Sequence, residues 1–398
     1  MEISKRAQNI SPSPTLAIDS LAKKMKAEGK DIISFGAGEP DFDTPQNIKD
    51  KAVSAIQSGF TKYTPVGGTD ELKDAIIRKF QRDNNLTYTK KEIIVSCGAK
   101  HSLYNIFQAI LNPGDKVIIP APYWVSYTEM VKMAGGKPVI VQTKEKDGFK
   151  ITPETLKKKA GTNVKALIIN SPSNPTGMIY TKEELQAITD VVLEKGIIVI
   201  SDEIYEKTIY DNNMFVSIAS LGDEIKKNTI VVNGVSKTYA MTGWRIGYAA
   251  GDENIIKAVN NIQSHSTSNP ASISQKAAVE ALNGPQEEVN KMVNEFSERR
   301  KNMVKRLNKI KGISCKMPHG AFYVFPRIKK LLGRNFKNRE IKSSLDLSSY
   351  LLEEMNVAVV PGIAFGNDNY IRLSYAASME NIQKGLDRIE EGIGKLLL

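Results

Sequence analysis

Cysteine and histidine are scarce in this chain of 398 residues: Cys97 and Cys315, and His101, His265 and His319. Two cysteines far apart in sequence make no disulfide framework and suit a reducing compartment. The histidines stand at no metal-ligand spacing, so no metal site is expected, and a histidine-based nucleophile relay has little to work with. Also missing is any apolar run of the ~18 residues that a membrane span needs. The opening stretch MEISKRAQNISPSP lacks the apolar core of a secretory signal, which makes a cytoplasmic location the expectation. There are no internal repeats and no low-complexity tracts.

Negative charge is outnumbered: 44 Asp and Glu against 55 Lys and Arg leave a formal charge of +11, which favours anionic partners. Nucleic acid is one such partner, and RRKNMVKRLNKIK (299–311) is its best candidate. There, however, the basic residues alternate with Met, Val, Leu and Ile at helical spacing. That pattern reads as an amphipathic helix with a solvated basic face. With no zinc-finger or RNP signature, no nucleic-acid partner is expected.

The length allows a large core and more than one domain. Strand-like and helix-like runs alternate through the middle. EIIVS (92–96), DKVIIP (115–120), KPVIVQT (137–143), KALIIN (165–170), IIVIS (197–201), TIVVN (229–233) and RIGYAAG (245–251) read as strands. Helical stretches lie between many of them, one opened by a capping box of Thr181 and Glu184. This implies an α/β fold: a large domain over 46–286 with a mainly parallel central sheet flanked by helices. Residues 1–45 and 287–398 read as a smaller α+β domain made from both chain ends. Residues 327–345, basic and polar, read as a mobile insertion.

In open α/β sheets, ligands sit beyond the carboxyl ends of the strands. EIIVS is followed by Gly98, Ala99 and Lys100 opening a helix, a turn that offers free N–H groups to a phosphate; many helices begin this way without a ligand. Trp124 follows DKVIIP and either stacks on a planar ring or fills the core. Asn174 follows KALIIN in a rigid turn, SPSNPTG, and either holds a ligand or belongs to a plain turn. Asp202 ends an apolar strand, where a carboxylate is costly without a partner, unless it merely caps a helix; Tyr205 lies three residues on. TIVVN leads to Ser236 and Lys237, with Arg245 eight residues further. Singly these signals are weak, but all emerge on one rim.

Pyridoxal phosphate requires this set. Its aldehyde needs an amine, Lys237. Its ring nitrogen must stay protonated beside a carboxylate, Asp202. Its phenolate oxygen takes donors from Asn174 and Tyr205. Its phosphate takes Gly98, Ala99, Ser236 and Arg245, and Trp124 covers the ring.

The chain resembles the class I, fold-type-I aminotransferases, and most closely their bacterial aspartate aminotransferase subgroup, over nearly its whole length. The motifs are GAGEPDFDTP (36–45), TKYTPVGG (61–68), GAKHSLYN (98–105), PYWVSY (122–127), NSPSNPTG (170–177), SDEIYE (201–206), SKTYAMTGWRIGY (236–248) and IRLSYA (371–376). The resemblance implies that Arg372 grips the substrate α-carboxylate, with Gly38 and Asn174 touching it. By composition alone Arg372 reads as an edge-strand charge. Tyr63 is implied to reach across a homodimer interface to the partner's phosphate, so that the active sites are shared. Lys237, once freed, is the implied general base, and the small domain, with SPSPTL (11–16) on its closing side, shuts on substrate.

A lysine at the start of a helix opposes the helix dipole, so a ligand anion is a reason for Lys100. In the resembling subgroup this position binds the distal carboxylate of aspartate or glutamate, unless Lys100 is a solvated surface residue. Aspartate with 2-oxoglutarate is the expected pair. Prephenate and aromatic donors are alternatives; the prephenate-active members often carry a basic residue where this chain has Ser11. A lyase or decarboxylase with the same cofactor, or a ligand- or nucleic-acid-binding relative without activity, are readings of other classes.

Overall fold

The computed structural model describes residues 2–12, 14–337 and 339–397. Seven strands make one sheet: β1 (Ile93–Ser96), β2 (Lys116–Ala121), β3 (Lys137–Gln142), β4 (Val164–Asn170), β5 (Ile198–Asp202), β6 (Thr229–Gly234) and β7 (Gly247–Ala250). Their spatial order is β1-β7-β6-β5-β4-β2-β3. β2 to β6 pair in parallel, whereas β7 runs antiparallel to both β6 and β1. The central strands are apolar on both faces, with Leu167, Val199, Ile200 and Val231 fully buried, as expected where helices cover both sides. No crossover helix joins β6 to β7, so the chain must return antiparallel. That connection carries Ser236, Lys237 and Arg245.

Helix positions follow from local chemistry. Thr181 Oγ1 accepts from the Glu184 N–H at 3.3 Å, and the Glu184 carboxylate accepts from the Thr181 N–H at 2.8 Å, which starts the helix Lys182–Lys195. Gly196, at φ +61°, ends it. Its buried Ile188 and Val192 join Leu167 and Val199 in one apolar cluster beneath the sheet.

A second core gathers both chain ends. Phe35 from the N-terminal part packs with Phe296, Phe322, Leu351, Leu373 and Leu386. Strand Ile33–Ser34 pairs in parallel with Val357–Ala358. Val360–Pro361, Ile371–Ser374 and Tyr323–Val324 form a small antiparallel sheet.

Three expectations need correction. Arg245 does not begin a strand: it closes the turn Thr242–Trp244 at φ +57°, and pairing starts only at Gly247. Gly247 passes the Ala99 nitrogen so closely that a Cβ would collide, which forces the close approach of β7 to the helix start. Residues 327–345 are not a mobile insertion among the described residues: Ile328, Leu331 and Ile341 are fully buried, and Asn335–Phe336 pairs with Arg339–Glu340. Those apolar residues, spaced among the lysines, anchor the segment; Asn338 lies outside the described residues. The third concerns the helix Glu287–Leu307, whose basic face is not wholly solvated. Arg299 is buried against Asp41 at 2.7 Å, and Arg300 against Asp211 at 2.6 Å with its guanidinium 4.4 Å from the Tyr210 ring centre.

A further buried ion pair, Lys79 with Glu206, ties the helix Asp70–Asn84 to the chain after β5. The Glu206 carboxylate also accepts from Asn84 Nδ2 and from Asn233 Nδ2, each at 2.8 Å. Glu206→Ala leaves a buried ammonium without its counter-charge. The expected loss of stability is about 3–5 kcal/mol, read from urea midpoints. A loss under about 1 kcal/mol would mean that Asn84 Oδ1, which accepts from Lys79 Nζ at 2.6 Å, and water satisfy the ammonium without Glu206.

Candidate active site

A cavity of about 370 Å³ opens beyond the carboxyl ends of β4, β5 and β6. On one side Gly98, at φ +92°, turns the chain from β1 into the helix Ala99–Ile110, with no side chain capping that helix. The first-turn N–H groups therefore face outward for an anion. Arg245 leans over the same turn: Nη1 donates to the Thr242 carbonyl at 2.8 Å and Nη2 to the Cys97 carbonyl at 3.3 Å. A Cβ on Gly98 would collide with that guanidinium, so the turn needs glycine for space as well as for its positive φ. Ser236 is buried beside them.

Lys237 lies in the middle, its Nζ donating to the Gly38 carbonyl at 2.5 Å. Burial lowers its pKa to about 8; the negative Glu39 opposes this, and Arg245 and Arg372 reinforce it. An amine so placed gives up its proton near neutrality. Asp202, at the end of β5, is 4% exposed. Its Oδ2 accepts from the Tyr127 hydroxyl at 2.6 Å and its Oδ1 from the Ile204 N–H at 3.3 Å. Burial raises its pKa to about 6 in spite of those bonds and of Lys237. A cation above it would restore the ionised form.

At the far wall Arg372 is 3% exposed, on the strand Ile371–Ser374. Nη1 donates to Asn174 Oδ1 at 3.1 Å and Nη2 to the Gly36 carbonyl at 2.7 Å, while Nε is buried without a partner among the described residues. Tyr323 and Phe365 flank the guanidinium at 4.5 and 5.1 Å. It has no carboxylate partner among the described residues, and burial works against its charge. A bound carboxylate would balance it. Opposite, Lys100 Nζ sits 4.9 Å over the Trp124 ring, its pKa lowered by burial and then by Arg245.

The residues singled out from sequence thus converge, with one exception. Gly38, Ala99, Lys100, Trp124, Asn174, Asp202, Tyr205, Ser236, Lys237, Arg245 and Arg372 bound one cavity, and Gly98 adjoins it. Tyr63 does not: it is 91% exposed on the surface of the single chain. Of SPSPTL, Thr15 lines the cavity and Ser13 lies outside the described residues. Sequence reading missed Tyr127, Tyr323, Glu39 and Thr242, whose hydroxyl donates to Glu39 at 2.8 Å. Tyr127, Glu39 and Thr242 stood within the motifs PYWVSY, GAGEPDFDTP and SKTYAMTGWRIGY, and Tyr127 lies in the first turn of the helix Ser126–Met133, but none of the four carried a separate signal.

The set fits pyridoxal phosphate. A glycine turn and Arg245 suit its phosphate, a buried carboxylate suits its ring nitrogen, and a near-neutral amine suits its aldehyde. The model of the family "Aminotransferase class I and II" matches residues 30–389, and the chain belongs to that family, whose members use this cofactor. It is 51% identical over 395 residues to the aspartate aminotransferase of Bacillus subtilis (strain 168), covering 99% of this chain and 100% of that one. It is 50% identical over 393 residues to the aspartate/prephenate aminotransferase of Nitrosomonas europaea, covering 98% and 99%. Among solved structures it is similar to the aspartate aminotransferase from Rhizobium meliloti, with a TM-score of 0.96 at 45% identity over 100% of both chains. The Thermus thermophilus aspartate aminotransferase with maleate gives 0.92 at 40% identity, over 98% of this chain and 100% of that one.

Proposed function

We propose that the protein transfers the amino group of L-aspartate to 2-oxoglutarate, giving oxaloacetate and L-glutamate. The observation that carries this is Arg372, a buried guanidinium without a carboxylate partner among the described residues, in one cavity with Lys237 and Lys100. Bound there, pyridoxal phosphate supplies an aldehyde for the amino group and a ring that accepts the electron pair left when the Cα proton departs. Gly98, Ala99, Ser236 and Arg245 would hold its phosphate, and Asp202 would keep its ring nitrogen charged. Asn174 and Tyr205 would donate to its ring oxygen, and Trp124 would cover its ring. Arg372 takes the α-carboxylate as a bidentate pair, helped by Asn174 and Gly38. Lys237 Nζ would hold the aldehyde and, when free, would take the proton from Cα.

Lys100 takes the distal carboxylate, a reading supported by the relative solved with maleate, a dicarboxylate. Lys100→Ala should cut kcat/KM for aspartate about 10–100-fold, the worth of a charge-assisted hydrogen bond, and leave small apolar donors within about threefold. Glutamate formed from 2-oxoglutarate with a panel of donors measures this; equal loss for all donors would sink the role. Prephenate belongs in the reverse panel, because relatives named for both activities are as similar as 50%. At Ser11 the backbone N–H donates to Glu129 at 3.1 Å, so an acid rather than a base stands there.

The domain division at 46–286, against 1–45 and 287–398, belongs to this reading, as does a cytoplasmic homodimer. Val53 and Ile56 on the helix Gln46–Gln57, 49% and 54% exposed, lie close in sequence to the exposed Tyr63. These residues support a dimer in which Tyr63 completes the partner's phosphate site.

A further inference from the structure

Tyr323 has no role in the scheme above, yet it touches two groups on which that scheme depends. It sits on the strand Tyr323–Val324, opposite Ser374 of the strand that carries Arg372. Its fully buried ring lies against the Arg372 guanidinium at 4.5 Å. Its hydroxyl is 2.8 Å from the Tyr205 hydroxyl, and the two rings meet edge-on at 5.8 Å. Gly38 approaches that hydroxyl so closely that a Cβ would stand 3.3 Å from it.

Of two hydroxyls in contact, one donates and the other accepts. If Tyr205 donates to Tyr323, its single proton is used and none is left for the cavity. If Tyr323 donates, Tyr205 keeps its proton for a ligand, and the bond it receives makes it a stronger donor. Charge favours the second arrangement. Arg372 draws on both hydroxyls, opposed by Asp202 at Tyr205 and by Glu39 at Tyr323, but it lies directly against the Tyr323 ring and is the foremost charge acting on that phenol. Glu39 and Lys237 line the same cavity as the pair. Both phenols stay protonated, since burial raises each above its ordinary range.

We propose that Tyr323 is a positioning residue: it donates to Tyr205 and so aims and strengthens the Tyr205 hydroxyl as the donor to the ring oxygen of pyridoxal phosphate. This rests on the reading that Tyr205 faces that oxygen. A donor there stabilises negative charge on the oxygen, and so lowers the pH at which the Lys237–cofactor linkage loses its proton and changes colour.

The test is a pH titration of the visible absorbance of the holoenzyme, without substrate, for the wild type, Tyr205→Phe, Tyr323→Phe and the double variant. Tyr205→Phe should raise the midpoint. Tyr323→Phe should raise it by roughly 0.2–0.6 pH unit, the effect of losing about 10–30% of a charge-assisted bond. In the Tyr205→Phe background the Tyr323 change should add nothing. Phenylalanine keeps the ring against Arg372, so KM should move less than about twofold. An unmoved midpoint in Tyr323→Phe, or an equal rise in both backgrounds, overturns the role of Tyr323 while Tyr205 keeps its own. An unmoved midpoint in Tyr205→Phe overturns the placement of Tyr205, and this inference with it.

Discussion

Lys237→Ala is expected to lower turnover about 10⁴-fold or more with every donor, because in the proposed scheme one nitrogen serves both as the covalent anchor and as the base at Cα. Its surroundings explain why no other group replaces it. The amine lies inside the cavity with a pKa near 8, whereas Lys100, the other ammonium on the wall, is held over Trp124. Lys237→Arg should be as inactive, since a guanidinium keeps its proton at any working pH. Borohydride reduction of the holoenzyme followed by peptide mapping gives a second reading: the pyridoxyl adduct should fall on the peptide that contains Lys237. An adduct on Lys100, or a variant retaining more than about a hundredth of wild-type turnover, would refute the assignment.

Asp202→Asn is expected to do two opposite things. With cofactor bound, the ring nitrogen would lose the counter-charge that the proposed scheme gives it, and kcat should fall about 10²–10³-fold, the usual cost of removing one aligned electrostatic partner. Without cofactor, the same change should stabilise the protein. Burial raises the Asp202 pKa from 3.8 to about 6. A carboxyl group whose folded pKa is raised contributes its full stability below the unfolded value and loses it as pH climbs through the folded one. Asparagine has no such charge to bury. The cofactor-free variant should therefore exceed the cofactor-free wild type by up to about 3 kcal/mol above pH ~7, with the gap closing below pH ~4. Urea midpoints across that range test it; a variant less stable than wild type at pH 8 would show that the Tyr127 bond outweighs the cost of burying the charge. Such a gap would mark Asp202 as a group that costs stability at the site it serves, a familiar trade of stability for activity.

Much of this site was legible because its parts lie at the ends of strands. Apolar runs of four to seven residues mark β1 to β7, and the residues just after them must stand on the sheet's rim. Asp202, Lys237 and Gly98 were found in that way. Tyr127 was not, although it lies within a quoted motif. Nothing about an aromatic residue in the first turn of a helix tells that its hydroxyl will meet a carboxylate 75 positions away in sequence. Tyr323 was hidden for the same reason, being 118 positions from Tyr205. Arg299 and Arg300 misled because the spacing that marks a solvated face also fits arginines turned toward Asp41 and Asp211, and only the packing of the helix distinguishes the two.

What the amino-acid order determined alone is local: the strand and helix runs, the Thr181 capping box, and the glycine at a turn where the backbone takes a positive φ. These depend on side-chain periodicity and on backbone preferences within a few residues. Only the tertiary structure decided that β7 runs antiparallel, that Arg245 bends back over Gly98, and which phenol meets which acid or second phenol. Those contacts are 2.6–3.3 Å long between groups remote in sequence, and they exist only once the sheet, its helices and the second core have packed together.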